Sequence, residues 1–321
     1  MPYATIDIGT NTAQLLVIER DGDTLHRLHA AERFVRLGEG VDASGRIGDD
    51  AQNRLLAALQ EHKQAARDHG AERTVVAGTS ALRDATNRRA VLDRVRRKLD
   101  LSIEILSGDD EAAWSFAAAC SAFDDLTGSC LVVDVGGGST ELVTGQHPAG
   151  HHPNYPAAIS DRVSLSVGCV RLTERCFDGQ PPSDAAITEA TTLIDDALAS
   201  ASLDVRPNPI VIGTAGTATA LALVHLGPDS TWDALNGGGF TLTHADVQHW
   251  RDRLLSLTVD EILAVHPDAM AGRADVFPVG VLLLNRILSH YDCPAFRVSP
   301  HELRHGLALR ALINSSPPLS S

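Results

Sequence analysis

The sequence predicts an α/β protein that is built from two similar halves. Apolar runs typical of strands alternate with segments whose apolar residues recur every three to four positions, as in amphipathic helices, and this alternation favours a largely parallel sheet. Aligning Asp7 with Asp134 superposes IDIGTNTAQLLV on VDVGGGSTELVT. Each copy is an apolar strand that ends in Asp, a glycine-containing turn and a second apolar strand. The length of 321 residues suits two medium domains, which we predict at 1–126 and 127–301.

The elements of the first half follow from local patterns. Apolar runs predict its strands, amphipathic periodicity predicts its helices, and Gly70 ends the first long helix. In chain order we predict strands at 3–8 and 14–19, a helix at 50–69, a strand at 74–78, a helix at 86–99, a strand at 102–106 and a helix at 109–122.

The second half is predicted by the same criteria. Its polar insert QHPAGHHPNYPAAIS reads as a hairpin loop over 146–160. We expect the last helix, 302–313, to pack back on the first domain, and residues 315–321 to form a disordered tail. The other predicted elements are strands at 131–134, 141–144 and 163–167, a helix at 184–201, the strand and glycine turn of PIVIGTAG, a helix through about 226, helices at 244–257 and 274–289, and a strand at 295–298.

Composition excludes several classes of function. A net charge of −14 argues against a general nucleic-acid binder, because such proteins need a basic surface. Asp7 interrupts the first apolar run and no run approaches the ~20 residues of a membrane span, so we expect a cytoplasmic protein without a signal peptide or membrane partner. Five cysteines without a CxxC pair favour reduced thiols. The basic run Arg83–Lys98 is either a solvated helix face or a local anion site.

The glycine turns predict phosphate binding. Glycine permits positive φ and, having no Cβ, lets backbone N–H groups approach a ligand closely. Successive N–H groups that point one way form an anion-binding nest. We therefore expect Gly136–Thr140 to hold a phosphate through main-chain donors and hydroxyls, and Thr10–Thr12 to do the same in the first copy. The alternative, a tight β-turn without a ligand, explains one such hairpin better than two matching copies.

The two aspartates beside these turns predict a cation. Asp7 and Asp134 would repel a bound phosphate unless a hard cation such as Mg²⁺, which binds few carboxylates and bridges to phosphate oxygens, lay between. The alternative, that Asp caps its own turn, is less suited to both copies at once. Gln14 in the first copy matches Glu141 in the second. This asymmetric acid indicates water activation or metal binding, although an exposed strand position would also accept Glu.

Three further segments carry candidate polar residues. SGDDEA places Asp109, Asp110 and Glu111 in the first turn of a helix, where acids also complement the helix dipole. TSALRDATN follows a strand directly, so that Thr79, Ser80 and Arg83 lie at a strand end, where open α/β folds bind ligands. GTAGTATA adds a third glycine turn. The loop histidines have no partner ligands at a recognisable spacing, which favours a solvated loop over a metal site: His147, His151 and His152.

These motifs together resemble the exopolyphosphatase and guanosine pentaphosphate phosphohydrolase (Ppx/GppA) family, which lies within the actin, sugar-kinase and Hsp70 superfamily. The matches extend over nearly the whole chain: IDIGTNTAQLLV, VRLGEGVDASGRI, TSALRDATN, ILSGDDEA, VVDVGGGSTELV, SLSVGCVRLTE, GTAGTATALA, RADVFPVGVLLL and SPHELRHGL. The resemblance implies two ribonuclease H-like domains that face each other across a cleft, and release of terminal phosphate that depends on Mg²⁺, with Mn²⁺ as an alternative. It also implies a homodimer.

The resemblance implies a role for each matching residue. Glu111 and Glu141 match the family's two catalytic glutamates, and Asp7 and Asp134, with Glu141, match its metal site. Asp110 departs from the more usual Glu, and His305 replaces an acid in SPHELRHG. The phosphate-contacting positions fall on Asn11, Thr12, Ser80, Arg83, Gly137, Gly138, Ser139 and Thr140.

We therefore predict hydrolysis of a terminal phosphoanhydride, with inorganic polyphosphate as substrate. Glu111 would orient or deprotonate the attacking water, and Arg83 would contact phosphate oxygens. Longer relatives carry additional C-terminal helical domains that would extend a substrate channel. We therefore expect this protein to prefer short polyphosphate chains as substrate. Guanosine pentaphosphate or a nucleoside triphosphate is the alternative substrate. A kinase or actin-like ATPase, which would need an acceptor segment or filament insertion, and a non-catalytic polyphosphate sensor are the other classes considered.

Overall fold

The computed structural model describes residues 1–21, 24–147, 158–236 and 239–315. The chain divides into two compact units, one formed by Met1–Ala118 with the segment from Leu303 onwards, and the other by Ala119–Glu302. Most of the predicted loop and tail lie outside the described residues, as do His151, His152 and the side chain of His147.

The helices and strands have the following bounds. Those up to residue 120 are β1 (Tyr3–Ile8), β2 (Thr12–Asp21), β3 (Thr24–Phe34), α1 (Val41–Ser44), α2 (Asp49–Asp68), β4 (Arg73–Gly78), α3 (Ser80–Asp84), α4 (Arg88–Leu99), β5 (Glu104–Ile105) and α5 (Gly108–Cys120). The remainder are β6 (Gly128–Val135), β7 (Thr140–His147), β8 (Ile159–Leu165), α6 (Cys169–Cys176), α7 (Asp184–Ser200), β9 (Ile210–Thr214), α8 (Ala215–Leu226), a 3₁₀ helix (Trp232–Leu235), β10 (Thr241–Thr243), α9 (His244–Leu255), α10 (Val259–Val265), α11 (Pro267–Met270), α12 (Phe277–His290), β11 (Ala295–Val298) and α13 (Leu303–Ser315).

Both units contain a mixed sheet with the same strand order. The sheet of the first unit runs β3-β2-β1-β4-β5, in which β1, β2 and β3 are antiparallel neighbours and β4 and β5 continue parallel to β1. The second sheet, read from β8, runs β8-β7-β6-β9-β11, with β10 added antiparallel at the edge. The repeated order confirms the predicted internal duplication, and it is the ribonuclease H-like arrangement.

The first unit is closed by the C-terminal helix α13. Successive side chains of β1 point to opposite faces, and Tyr3, on the face away from the main core, donates from its hydroxyl to the carbonyl of Ala308 at 2.9 Å. Arg310 of α13 forms a bidentate pair with Glu104 of β5, at 3.0 and 2.6 Å. The end of the chain therefore belongs to the first unit.

One hydrophobic cluster of the second unit lies on the face of its sheet that packs against α8 and α12. Leu131 and Val133 of β6 and Leu142 of β7 are buried against helices α8 and α12, which contribute Leu221 and Leu284. The alternate residues of β6, ending in Asp134, point to the other face of the sheet. This alternation places the acid at a strand end while the neighbouring apolar residues remain in the core.

Several elements differ from the prediction. Strand β3 was not predicted because it is an edge strand rich in charged residues and histidine, and α6 was not predicted because it spans only eight residues. In the described part of the chain, no helix has the length and apolar character needed to cross a membrane. The five cysteines, all of which are described, form no disulfide.

Candidate active site

The glycine turn of the second unit joins β6 to β7. The two strands pair in register up to Val135 opposite Thr140, and the turn closes with a hydrogen bond from the N–H of Gly136 to the carbonyl of Ser139 at 3.0 Å. Ser139 and Asp134 are almost fully buried, at 4 and 7% exposure. The turn is thus a short, ordered hairpin loop.

The carbonyl groups of this turn are all bound from one side by the start of α6. Cys169 donates its N–H to the Gly136 carbonyl at 3.0 Å. Val170 and Arg171 both donate to the Gly137 carbonyl, at 2.8 and 3.1 Å. The side-chain Nε of Arg171 donates to the Gly138 carbonyl at 2.8 Å, so three consecutive carbonyls are fixed.

Fixing the carbonyls also fixes the amides. In a trans peptide the C=O of one residue and the N–H of the next point in opposite directions. The N–H groups of Gly137, Gly138 and Ser139 therefore all point away from α6. No group in the described part of the chain accepts a hydrogen bond from them. Three successive amides that face one way form a nest for an oxyanion.

Gly136 and Gly168 provide space for close backbone packing at the turn. None of Gly136–Gly138 has a positive φ, so the access of glycine to the left-handed region is not used in this turn. Instead, a Cβ on Gly136 would lie 3.0 Å from the Ser139 carbonyl oxygen. A Cβ on Gly168, which precedes α6, would lie 2.5 Å from the carbonyl carbon and oxygen of Gly137. Close backbone packing holds the turn against α6.

The first unit holds its turn by the same device. Gly9 donates to the Thr12 carbonyl at 2.8 Å, which matches the bond from Gly136 to Ser139. The Asn11 carbonyl accepts from the N–H groups of Val35 and Arg36, both at 2.9 Å. These two residues follow the third strand, as Val170 and Arg171 do in the second unit. The amide of Thr12 accordingly points away from this segment.

A row of polar side chains crosses the second sheet beside its turn. Asp134 lies directly opposite Glu141, and Glu141 directly opposite Ser164. Directly opposite residues of antiparallel strands project to the same face. Ser164 donates to Oε1 of Glu141 at 2.7 Å, and Glu141 is 1% exposed. Two acids thus share one face at the turn.

In the first unit the corresponding polar side chains also lie on three neighbouring strands, but the second acid is on β3 and not on β2. Asp7 lies opposite Gln14, and Gln14 lies opposite Glu32. Nε2 of Gln14 donates to Oε2 of Glu32 at 2.8 Å. Gln14 stands where the second copy has an acid, and Glu32 could not be recognised from the sequence because β3 was not predicted.

Glu111 lies at the end of the first sheet, in the first turn of α5. Arg83 of α3 donates to its Oε2 at 2.7 Å, and also to the Leu106 carbonyl at 3.2 Å. Glu111 is 7% exposed. Burial raises the pKa of Glu111, and it outweighs the opposing effects of Arg83 and of a hydrogen bond from Thr79. A carboxylate with a raised pKa and a cationic partner suits a general base.

The neighbouring acids of α5 have a different environment. The N–H of Asp110 donates to the hydroxyl of Ser107 at 3.1 Å, and that hydroxyl donates to Oδ2 of Asp110 at 2.7 Å. Asp110 is exposed, as is Asp109. Asp110 therefore closes the N-terminus of the helix, and Glu111 is the acid that faces inward.

Comparison with known proteins identifies the family. The model of the Ppx/GppA phosphatase family matches residues 16–315. The chain belongs to the Ppx/GppA family.

Similar proteins of the Ppx/GppA family carry two kinds of name. "Exopolyphosphatase 2" of Mycobacterium tuberculosis is 32% identical, over 95% of this chain and 97% of its own. A guanosine-5'-triphosphate,3'-diphosphate pyrophosphatase of Aeromonas hydrophila is 29% identical, over 98% of this chain but 60% of its own. The crystal structure of an exopolyphosphatase from Cytophaga hutchinsonii superposes with a TM-score of 0.87 at 26% identity, over 99% of each chain. The chain is accordingly a phosphohydrolase that acts on phosphoanhydride bonds.

The residues predicted from the Ppx/GppA resemblance fall into two groups, one in each unit. Ser80 begins α3 and is 3% exposed. Thr140 is fully buried, and its hydroxyl donates to the Val167 carbonyl at 2.7 Å, which leaves that hydroxyl an acceptor only. The first unit holds Asp7, Asn11, Thr12, Ser80, Arg83 and Glu111, and the second holds Asp134, Gly137, Gly138, Ser139, Thr140 and Glu141.

Arg171 is a residue that sequence reasoning missed. A signal was present, because the tripeptide Val-Arg-Leu occurs at 35–37 and again at 170–172. Both copies lie after the third strand of their unit and donate two successive amides to a turn carbonyl. The internal repeat therefore extends beyond the hairpins to the segments that hold them.

Proposed function

We propose that this protein is an exopolyphosphatase, which releases terminal orthophosphate from inorganic polyphosphate. The observation that carries this proposal is the set of three amides, Gly137 to Ser139, that α6 turns to one side. Such a nest binds the oxygens of a phosphoryl group and makes no contact that is specific to a base or a sugar. Relatives that match nearly the full length of the chain bear the exopolyphosphatase name. Hydrolysis of guanosine pentaphosphate is the alternative, since other relatives are named for that substrate.

The terminal phosphate is held mainly by backbone donors in this proposal. Phosphoryl transfer requires positioning and charge neutralisation more than covalent chemistry from the protein. Amides fixed before substrate arrives need no reorganisation as charge develops. In the second unit, the hydroxyl of Ser139 adds a further contact to the phosphate. In the first unit, the proposed phosphate-contacting residues are Asn11, Thr12, Ser80 and Arg83.

Glu111 acts as the general base. Its carboxylate is nearly buried, and burial raises its pKa. A carboxylate with a raised pKa is a stronger base. In this role Glu111 orients the attacking water and takes one of its protons. Arg83, bonded to Oε2 at 2.7 Å, fixes the orientation of the carboxylate and keeps its pKa from rising further.

The residues of the second sheet fit a hard divalent cation. Asp134 and Glu141 face the same side from directly opposed positions, where like charges repel. Mg²⁺ takes one or two carboxylates and completes its shell with water and phosphate oxygens. The described residues contain no cluster of three or more His, Cys, Asp or Glu that could form an all-protein cage. We propose that Asp134 and Glu141 hold Mg²⁺, or Mn²⁺, whose charge would neutralise the phosphate oxygens, and that Asp7 is the metal-site residue of the first unit.

One assay tests the proposed function. Phosphate release is measured from short and long polyphosphate, guanosine pentaphosphate and ATP, each with Mg²⁺ and with a chelator. We expect the highest kcat/KM for short polyphosphate and loss of activity with the chelator. A higher kcat/KM for guanosine pentaphosphate would support the alternative, and binding of polyphosphate without release of phosphate would indicate a sensor.

Two further expectations have their own tests. Sedimentation of the same preparation tests the proposed homodimer, and cell fractionation tests the proposed cytoplasmic location.

The ion pair between Arg83 and Glu111 predicts a pH effect. In Arg83→Gln the guanidinium that lowers the pKa of Glu111 is lost, so this pKa rises further. A base with a higher pKa is protonated over a wider range of pH. We expect the acidic limb of the kcat/KM profile to move to higher pH, in a titration of rate across the acidic and neutral range.

The matched control is Arg89→Gln, because Arg89 is an exposed residue at the start of α4. It should leave the profile unchanged. A uniform loss of rate in Arg83→Gln, without any shift of the acidic limb, would mean that Arg83 contacts substrate but does not tune Glu111.

A further inference from the structure

The side chain of Arg171 contacts the same turn as its backbone. Its N–H donates to the Gly137 carbonyl at 3.1 Å, and its Nε donates to the Gly138 carbonyl at 2.8 Å. Gly138 is the last of the three carbonyls and is the one that the backbone of α6 does not reach. The backbone at the start of α6 binds the first two carbonyls of the turn, and the side chain of Arg171 binds the third.

We propose that Arg171 is a positioning residue for phosphate binding. By holding the Gly138 carbonyl it turns the following peptide, so that the N–H of Ser139 joins those of Gly137 and Gly138 in one nest. Without it, the peptide between Gly138 and Ser139 is free to rotate, and the third donor leaves the set. The inference rests on the proposed function in one respect, namely that this turn binds a phosphoryl group.

Arginine suits this position for two physical reasons. Its Nε–H lies in the plane of a rigid guanidinium, so the direction of the bond to the carbonyl is defined, whereas a lysine ammonium is a compact, freely rotating charge. A hydrogen bond from a cation to a carbonyl is also stronger than a neutral one. The role thus depends on the shape of the side chain and not on its charge alone.

The first unit fixes its turn with a different side chain. Arg54 of α2 donates from Nε to the Val35 carbonyl at 2.8 Å, and it pairs with Glu39 at 2.6 Å. It thereby braces Val35 and Arg36, whose amides bind the Asn11 carbonyl. Because each turn has its own arginine, substitution of Arg171 should affect the second turn and leave the first intact.

The experiment compares three variants of the full chain: Arg171→Lys, Arg171→Gln and Arg175→Gln. Binding of inorganic phosphate is measured by calorimetry, and kcat and KM are measured on polyphosphate. A hydrogen bond that involves a charged group is worth about 1.5–3 kcal/mol, so we expect phosphate binding by both Arg171 variants to weaken about 10- to 100-fold. Arg175, exposed on the same helix, is the control and should bind phosphate as the wild type does. KM should rise while the acidic limb of the pH profile, which depends on Glu111, stays in place.

Added guanidinium ion should restore binding in Arg171→Gln, and methylammonium should not. Wild-type affinity in Arg171→Lys would overturn the proposal, because charge alone would then suffice. Affinity within twofold of wild type in Arg171→Gln would overturn it as well. Thermal melting identifies any variant that unfolds, and Arg171→Lys, which keeps the aliphatic stem, then decides the question. If the wild type itself fails to bind phosphate, the proposed function fails, which is a different outcome from equal binding by all variants.

Discussion

Substitution of Glu111 by Gln should abolish phosphate release while substrate still binds. The amide keeps the size of the side chain and can accept from Arg83, but it cannot take a proton from water. General bases contribute about 10²- to 10⁴-fold to rate, and we expect kcat to fall by that amount. Steady-state kinetics, together with calorimetric titration of polyphosphate, separate the loss of turnover from any loss of binding.

The stability of this variant provides an independent check. The pKa of Glu111 is raised in the folded state, so the folded protein binds its proton more tightly than the unfolded chain does. Its contribution to stability is therefore present below the unfolded pKa and is lost as pH rises through the folded pKa. At neutral pH, Glu111→Gln should melt no earlier than the wild type, and the difference in melting temperature should shrink on acidification.

The control for Glu111 is Asp110→Asn. Asp110 is exposed and bonded to Ser107, so its substitution should cost at most about 1 kcal/mol of stability and leave kcat unchanged. If Asp110→Asn lost activity and Glu111→Gln kept it, the assignment of the base would be wrong.

Features encoded by local patterns could be predicted from the sequence. The repeated strand, Asp and glycine turn required only that Asp7 and Asp134 be aligned, and the shared strand order of the two sheets confirms the duplication. The pairing of Asp134 with Glu141 also follows from a short hairpin, because the register is set by the turn between them. Each copy of the motif, like the pairing of Asp134 with Glu141, depends only on residues that lie close together along the chain.

Features that depend on distant contacts could not be predicted in this way. Glu32 joins the first row only through β3, an edge strand whose charged residues conceal its alternation. The three amides of the second turn are oriented by residues of α6, which lie about thirty positions further along the chain. The need for glycine at position 168 is likewise set by a distant contact, because a Cβ there would lie 2.5 Å from the carbonyl atoms of Gly137.

Substitution of Gly168 by Ala should disrupt the phosphate-binding turn, although Gly168 itself lies outside that turn, directly before α6. The backbone at Gly168 is extended, with φ of −150°, so alanine meets no local strain. Its Cβ, however, would lie 2.5 Å from the carbonyl atoms of Gly137 and 2.6 Å from the N of Gly138. Backbone atoms cannot rotate aside as a flexible side chain can, so the turn and α6 must separate. Overpacking of this kind costs about 1–3 kcal/mol of stability.

The same displacement should reduce catalysis more than it reduces stability. A shift of ~1 Å in a positioned group can lower rate about 10²-fold, and we expect kcat/KM of Gly168→Ala to fall by that order. Urea unfolding and steady-state kinetics on polyphosphate measure the two effects separately. Gly179→Ala is the matched control, because a Cβ at Gly179 meets no atom within 4 Å, and it should behave as the wild type does. Normal kinetics in Gly168→Ala would show that the turn tolerates movement away from α6, and the orientation of its amides would then not determine phosphate binding.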